Sequence, residues 1–445
     1  MKKNYKFLKI KGKNPDFWSL FHERNESVFL SRLKESKFLE NPSFLTPKTS
    51  ALLIYSYSKK VSQLPDQITK EKFLKIYDFH KNSMNQQDFV NVSWAFAKIA
   101  SENINLFDEL ERKVLNNNTP FNIREEITII HSFAKANKGS EQFWAFQELF
   151  LEKNLKNLEE KELSIAIWAL SKRNSLKNLE LWKNLEARIL TMNLKDIEYI
   201  TSLIYSFGKA GQGSKELFHE FENLVSLNLQ NIKPRYFANI CWAFAKASKS
   251  LENPLISQYL EKWVFSELQK GPSRDLYNVL WAYNRMNKSD IDNTTLFWDQ
   301  VFRGFEEKEA LIFTMNSQDL MNFAWILKQR KDPGDFLKLW VNLRKRFSRY
   351  LEEALKEIQS GKTENRDFRI KAHECFYLGN GGFELWREIG ERTYNEYLDF
   401  IEKNKEKNEE IKENIKEIAI LALKMDRPPQ SQIYKDLLNK ISAIK

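Results

Sequence analysis

The sequence has few of the residues that break helices or cross-link chains. Its 445 residues include only 13 glycines, 11 prolines and two cysteines. Cys241 and Cys375 lie far apart and neither belongs to a CxxC pair, so the sequence predicts neither a disulfide framework nor a zinc site. Alternating runs of β-branched residues are also missing, whereas lysine, glutamate, leucine, asparagine and phenylalanine are plentiful. This composition favours helices throughout the chain.

Long apolar segments are missing as well. No run approaches the roughly 18 residues that span a bilayer, and the N-terminal segment MKKNYKFLKIKGKN has no hydrophobic signal-peptide core. This segment carries six lysines in its first 13 residues and no acid before Asp16. Two interpretations stay open: a mitochondrial targeting sequence, although arginine and serine are lacking, or a basic tail that binds a partner. The net charge of +10 favours a polyanionic partner such as nucleic acid.

Catalytic patterns are also absent from the sequence. The five histidines show no HExxH or other paired-ligand spacing, and the carboxylates are scattered, so no acid–base pair can be nominated. The segments GQGSK (211–215) and GNGGF (379–383) neither follow a strand nor complete a GxxxxGK[ST] phosphate-binding loop. The sequence therefore predicts a protein that is not an enzyme and that uses no metal or cofactor.

What the sequence has in abundance is a repeated phrase. NVSWAFAK (91–98) returns as NICWAFAK (239–246), with looser copies between and around them. The aromatic or histidine position of each copy, here called the anchor, mostly recurs every 37 residues, the difference between positions 131 and 168. A second amphipathic segment, such as LFDELERKVL (106–115), follows the anchor. The anchors are Tyr55, Trp94, His131, Trp168, Tyr205, Trp242, Trp281 and Trp325.

A period of one helix–turn–helix unit is typical of an α-solenoid. We therefore predict an all-α fold with about eight such repeats in residues 49–330. Residues 1–48 are predicted to form a basic extension with short helices of its own, and residues 331–445 to form divergent helical repeats and a cap.

Helical periodicity assigns the positions of the first helix to two faces, counted from the anchor as zero. Positions −5, −2, −1 and +2 are predicted to face the core, as Phe237, Ile240, Cys241 and Phe244 do in one repeat. Small residues at +1 and +3 let neighbouring helices approach closely. The opposite face carries positions −7, −3, 0 and +4, which we call the first-helix stripe.

The stripe is rich in cations and amides, and its candidate RNA-binding residues form three columns. At +4 they are Lys59, Lys98, Lys135, Lys172, Lys209, Lys246 and Arg285; at −3, Asn91, Thr128, Ser202, Asn239, Asn278 and Asn322; at −7, Arg124, Lys161, Arg235 and Arg274. Stacked repeats would align them with the regularly spaced phosphates and bases of RNA. Each column also has a structural interpretation. The anchors would pack between repeats, the +4 cations would cap helix carbonyls, and the amides would satisfy backbone groups.

The phrase L-x-N-I-x-W-A-F-A-K-A, repeated over residues 45–330, resembles the heptatricopeptide and octotricopeptide repeats and the related FAST-kinase-like and RAP-domain proteins. The resemblance implies a mitochondrial matrix RNA-binding protein, either a component of the mitochondrial ribosome that binds and stabilises rRNA or a free RNA-processing factor. It departs from the family because residues 331–445 still have a helical pattern where many relatives carry an α/β RAP module. The competing hypothesis is a protein–protein scaffold in a large mitochondrial complex.

Overall fold

The computed structural model describes residues 15–116, 119–173, 178–287 and 294–330, together with scattered positions between 336 and 349. The predicted helices and cap of residues 350–445, the GNGGF segment, Cys375 and the lysine-rich residues 1–14 lie outside the described residues. Within the described residues there are helices and short 3-10 turns and no strand, so the predicted all-α class is confirmed.

The chain divides into two compact units, Met1–Leu224 and Val225–Lys445. The first unit contains α1 (Pro15–His22), α2 (Glu26–Glu35), α3 (Pro47–Lys60), α4 (Gln67–His80), α5 (Gln86–Ile99), α6 (Ile104–Leu115), α7 (Ile123–Ala136), α8 (Glu141–Asn154), α9 (Glu160–Lys172), α10 (Leu179–Leu190) and α11 (Ile197–Ala210). The boundary between the units falls in α12 (Lys215–Asn228). The second unit contains α13 (Pro234–Lys246), α14 (Pro254–Lys270), α15 (Arg274–Met286), α16 (Thr295–Glu307), α17 (Ala310–Phe313) and α18 (Ser317–Arg330).

Within each unit the first helices of successive repeats pack on one another. In the first unit α3 packs on α5, α5 on α7, α7 on α9 and α9 on α11. In the second unit α13 packs on α15 and α15 on α18, while the second helices α14 and α16 also touch. This packing of helix pairs in chain order is the α-solenoid arrangement that the repeat predicts. Helices α1 and α2 lie before residue 49, where the sequence analysis expects short helices, and α4 is a second helix that the sequence analysis did not single out.

Capping side chains set the helix boundaries. Asn85 and Asp88 form a capping box at the start of α5, and Asn122 and Glu125 form another at the start of α7. Each box satisfies backbone N–H groups that have no partner inside the helix. At the other end of α7, Asn137 adopts a left-handed conformation with a φ of 55°, which ends the helix. The repeat therefore carries its own start and stop signals.

The predicted core positions are buried, but one of them holds an acid. Phe89, Val92 and Phe96 on α5 are buried, as are the matching residues of α13. In α7, however, position −5 is occupied by Glu126, which is 3% exposed. An acid thus lies at a core position that the other repeats fill with an apolar side chain or, in α3, with the buried Ser50.

Candidate nucleic-acid interface

The anchor side chains lie at the surface edge of the contact between repeats. From Tyr55 to Trp281 the anchors are half-buried, whereas they were expected in the core between repeats. The rings of Tyr55 and Trp94 have centroids 5.0 Å apart, and those of His131 and Trp168 stack at 5.0 Å and 29°. The anchors therefore do join successive first helices, but part of each ring remains accessible because position 0 lies opposite the core face. The Trp325 side chain lies outside the described residues.

Two of the +4 cations bind backbone carbonyls at the end of the preceding first helix. The Lys98 Nζ donates to the carbonyl oxygens of Ser58 and Val61 at 2.6 and 2.8 Å. The Arg285 Nε donates to the carbonyl of Ala245 at 2.8 Å. Capping is thus confirmed at these two positions, with the difference that each cation caps the neighbouring repeat and not its own helix. These bonds satisfy carbonyls that the end of a helix leaves unpaired.

Four of the +4 cations lie over anchor rings. The distance from the Lys59 amine to the Tyr55 centroid is 5.8 Å, and that from the Lys172 amine to the Trp168 centroid is 5.5 Å. The Lys135 amine lies 5.5 Å from the ring of Trp94 in the preceding repeat, and the Arg285 guanidinium lies 5.6 Å from Trp281. Cation–π attraction at these distances holds the positive charge beside the accessible edge of the ring. The stripe is therefore an alternation of rings and cations.

Cations of successive repeats are close enough to affect one another in the first unit. Burial lowers the pKa of Lys135, and the positive charge of Lys98 lowers it further. Burial likewise lowers the pKa of Lys209, with Lys172 acting in the same direction. Burial, helped by Lys135, also lowers the pKa of His131 to about 4, so this imidazole is neutral at physiological pH. Two pairs of neighbouring +4 cations are thus like charges whose repulsion an anion would relieve.

The −3 column is half-buried on the same face. The carbonyl oxygen of the Asn91 side chain accepts a hydrogen bond from Gln87 at 3.2 Å, and the Thr128 hydroxyl donates to the backbone carbonyl of Arg124 at 2.7 Å. Ser202, Asn239, Asn278 and Asn322 are half-buried as well. Asn91 keeps amide N–H donors beyond this bond. The structure therefore places the column where the sequence predicts it, and contact with RNA stays a prediction.

The −7 cations have acidic neighbours that the sequence analysis missed. Arg124 forms an ion pair with Glu162 of the next repeat at 3.6 Å. Burial raises the pKa of Asp319 to about 6, and Arg274 of the preceding repeat acts in the opposite direction. Lys161 is exposed.

The same relation recurs elsewhere in the array. Burial raises the pKa of Asp275, and Arg235 of the preceding repeat opposes the rise. Burial also raises the pKa of Asp88, and Lys48, which occupies position −7, opposes that rise. The acids lie six residues before their anchors, and this recurrence was the signal in the sequence. Most of the −7 column is therefore partly neutralised between repeats, and its predicted RNA contact has to compete with these acids.

The GQGSK segment forms the turn between α11 and α12. Gly211 and Gly213 have positive φ angles of 64° and 102°, and the backbone N–H of Ser214 donates to the carboxylate of Glu186 at 3.2 and 3.3 Å. A carboxylate of the preceding repeat thus occupies the anion position at the start of α12. The Asn137–Ser140 turn before α8 repeats this arrangement with Glu111. In both turns, hydrogen bonds to a carboxylate connect the turn to the preceding repeat.

No group of His, Cys, Asp and Glu in the described ranges is arranged to hold a metal ion, and none of the described helices has the length and apolar character of a membrane span. Cys241 is fully buried in the core, where desolvation raises its pKa. A comparison with protein-family models finds no match, and a comparison with curated proteins finds none either.

Proposed function

We propose that this protein is a non-catalytic RNA-binding α-solenoid that binds single-stranded segments of RNA along the first-helix stripe. The observation that carries the proposal is the alternation of half-buried anchor rings and +4 cations on one face of stacked first helices. Rings offer stacking surfaces to unpaired bases, and the cations offer charge to phosphates.

The electrostatic argument rests on the spacing of the cations. The charge of Lys98 is near enough to disfavour that of Lys135, and the charge of Lys172 likewise disfavours that of Lys209. A phosphate placed between two such amines gains attraction from both and removes the repulsion between them. The chain as a whole carries a net charge of +10, which adds a long-range attraction for a polyanion.

The salt dependence of RNA affinity tests the proposal. The test variant replaces four +4 cations that have no hydrogen bond to a carbonyl of a neighbouring repeat: Lys135, Lys172, Lys209 and Lys246, each to Gln. Each lost phosphate contact should reduce the slope of log affinity against log salt by about 0.7, so the slope should fall by up to about 2.8 (4 × 0.7). Fluorescence anisotropy with a labelled single-stranded RNA gives the slopes, and circular dichroism verifies the helices.

A second quadruple variant provides the matched control. It replaces four exposed lysines of the second helices, Lys75, Lys153, Lys183 and Lys262, with Gln. The loss of formal charge is the same in both variants, so a general electrostatic effect would weaken RNA binding equally. We expect the stripe variant alone to lose the steep slope. Equal affinity and slope in wild type and the stripe variant would refute the proposal and support the protein–protein scaffold.

The resemblance to organellar repeat proteins extends the proposal to a compartment and an assembly. We place the protein in the mitochondrial matrix, as a component of the mitochondrial ribosome or a factor that binds and stabilises its rRNA. Sedimentation of a matrix extract in sucrose gradients tests this. The protein should migrate with a ribosomal subunit and be released to lighter fractions by ribonuclease treatment. Migration away from ribosomal fractions before ribonuclease treatment would instead indicate a free RNA-processing factor or a subunit of another complex.

A further inference from the structure

A cleft that does not include the +4 cations lies in the first unit. It has a volume of about 760 Å³ and lies between the end of α4, the first turn of α5, the end of α6 and the segment that precedes α7. This volume is within the 300–1,000 Å³ of typical small-ligand sites. The +4 cations of the stripe occupy the last turns of the first helices, so the cleft does not share their position.

An aromatic pair lines this cleft. The rings of Phe89 and Phe121 lie 6.0 Å apart and nearly parallel, at 23°. Phe89 is buried on α5, whereas Phe121 is half-buried and belongs to the segment that precedes α7. A half-buried ring backed by a second ring presents one flat apolar face, which suits a planar ligand.

Cations lie around this aromatic pair. The Lys113 amine donates to the carbonyl of Lys81 at 2.9 Å and lies 5.9 Å from the Phe89 ring, and burial lowers its pKa. The Lys81 amine pairs with Glu109 at 2.9 Å. Arg112 is exposed, and its Nε donates to the backbone carbonyl of Asp108 at 3.3 Å. The described lining carries three cations and the acid Glu109, and Asp78 beside it also pairs with Lys81 at 3.0 Å, so a net charge of one positive unit is left at the cleft.

Arg112 is the cation best suited to a ligand. Its guanidinium has five N–H donors, and the bond to Asp108 uses one of them. Lys81 and Lys113 have partners inside the protein, so much of their charge is neutralised and Arg112 is the cation left for a phosphate. Arginine also has the planar geometry that matches two oxygens of a phosphate group.

Amide side chains complete the lining. Asn82 and Asn116 are exposed at the cleft, and the Gln86 Nε2 donates to the backbone carbonyl of Thr119 at 2.7 Å. Asparagine side chains offer both donors and an acceptor, which is the chemistry that pairs with the edge of a nucleobase.

We infer that this cleft binds a nucleoside monophosphate, with the base stacked on Phe121 and the phosphate bound by Arg112. The ligand is either a free nucleotide or one nucleotide of an RNA strand, since both present the same base and phosphate. The inference does not depend on RNA binding by the first-helix stripe, because the two surfaces share none of the residues that carry either argument.

Calorimetric titration of the full chain tests the inference. The probes are the four 5′-nucleoside monophosphates, the matching nucleosides and inorganic phosphate alone. We expect at least one nucleoside monophosphate to bind, with a weaker affinity for its nucleoside and no measurable binding of inorganic phosphate. A short single-stranded RNA, added as a competitor, distinguishes the two sources. Displacement of the nucleotide by RNA indicates a strand nucleotide, and its absence indicates a free one.

Two substitutions assign the binding to the cleft. Phe121→Ala should weaken the nucleotide affinity about fivefold or more, since stacking of a base on an aromatic ring contributes at least about that factor. Phe121→Trp should retain the affinity because it keeps an aromatic face. Arg112→Gln should reduce the preference for the nucleotide over the nucleoside, whereas Arg303→Gln, an exposed arginine on α16, serves as the control and should change neither.

The inference is overturned if the folded protein binds none of the four nucleotides at millimolar concentration. It is also overturned if a nucleotide binds with the same affinity to wild type, Phe121→Ala and Arg112→Gln. The four-lysine stripe variant separates the two proposals, because it should lose salt-dependent RNA affinity and still bind the free nucleotide.

Discussion

A buried carboxyl group makes one part of the array sensitive to pH. Glu126 on α7 is 3% exposed and faces α8, where Gln147 is fully buried. Within the described residues the Glu126 Oε1 and both polar atoms of the Gln147 side chain make no hydrogen bond of good geometry, although the Gln147 amide lies close enough to the carboxyl group to affect its pKa. Burial raises the pKa of Glu126 to about 7, with the Gln147 amide acting in the opposite direction and the negative charge of Glu125 adding to the rise. The acid is thus half-protonated in the folded state near neutral pH.

The sign of the pH effect follows from this raised pKa. The ordinary pKa of the glutamate is 4.5 and the folded value is about 7, so between these values the unfolded state releases a proton that the folded state keeps. Folding is therefore weakened as pH rises through this window and stays weakened above it. At about 1.4 kcal/mol per pKa unit the full effect is roughly 3 kcal/mol, and most of it falls between pH 5 and pH 8.

The substitution Glu126→Gln removes the titration and nearly conserves the shape. We expect the local stability of α7 and α8 in wild type to fall by roughly 2 to 3 kcal/mol, relative to that of the variant, between pH 5 and pH 8. Hydrogen exchange of the α7 and α8 amides, corrected for the intrinsic pH dependence of exchange, measures this local free energy. The α13 amides provide an internal reference, and Glu216→Gln, at an exposed site on α12, provides a control variant. Parallel pH profiles for wild type and Glu126→Gln would show that the reasoning about the buried acid is wrong.

Five further substitutions test the packing of the repeats by chemical denaturation. Lys98→Met should cost about 1 to 2 kcal/mol because two carbonyls lose a charged donor, whereas Lys59→Met, which removes only a contact with a ring, should cost less. Trp168→Ala should cost about 1 to 2 kcal/mol, since the ring is half-buried, against about 3 to 5 kcal/mol for the fully buried Trp298. Gly213→Ala should cost about 1 to 3 kcal/mol, because φ is 102° and a Cβ would meet Phe218 at 3.0 Å. Equal losses within either matched pair, or no loss for Gly213→Ala, would contradict these assignments.

Much of the fold could be predicted because the same pattern of apolar positions recurs in several repeats of the sequence. One amphipathic segment leaves helix ends and faces ambiguous, but the alignment of repeats shows that positions −5, −2, −1 and +2 are mostly apolar together. Glu126 is the exception that periodicity could not anticipate. Its burial depends on the partner helix α8, where Gln147 replaces an apolar residue such as Leu110 of the preceding repeat.

The contacts of the stripe could be predicted only in part. The sequence places Lys98 and Arg285 at the ends of their helices, but which carbonyls they reach depends on the distance between neighbouring helices and on the rotamers of long side chains. The acids near the −7 cations could have been predicted from the sequence, because Glu162 and Asp319 each lie six residues before an anchor. The cleft beside Phe121 had no signal of this kind, since it depends on where Phe121 lies relative to Phe89 and the end of α6.

Capping and RNA binding, which the sequence presents as alternatives, are compatible in this structure. The Lys98 amine donates two hydrogen bonds to carbonyls and keeps its charge together with a third N–H donor. An amine held in this way has already lost most of its rotamer freedom during folding, so a phosphate that binds it meets a smaller entropic cost than one that must order a mobile lysine. The two carbonyl-capping cations, Lys98 and Arg285, would then act as fixed points for the RNA backbone. Cations beside the anchor rings, such as Lys135 and Lys172, could change rotamer to reach the phosphates between them.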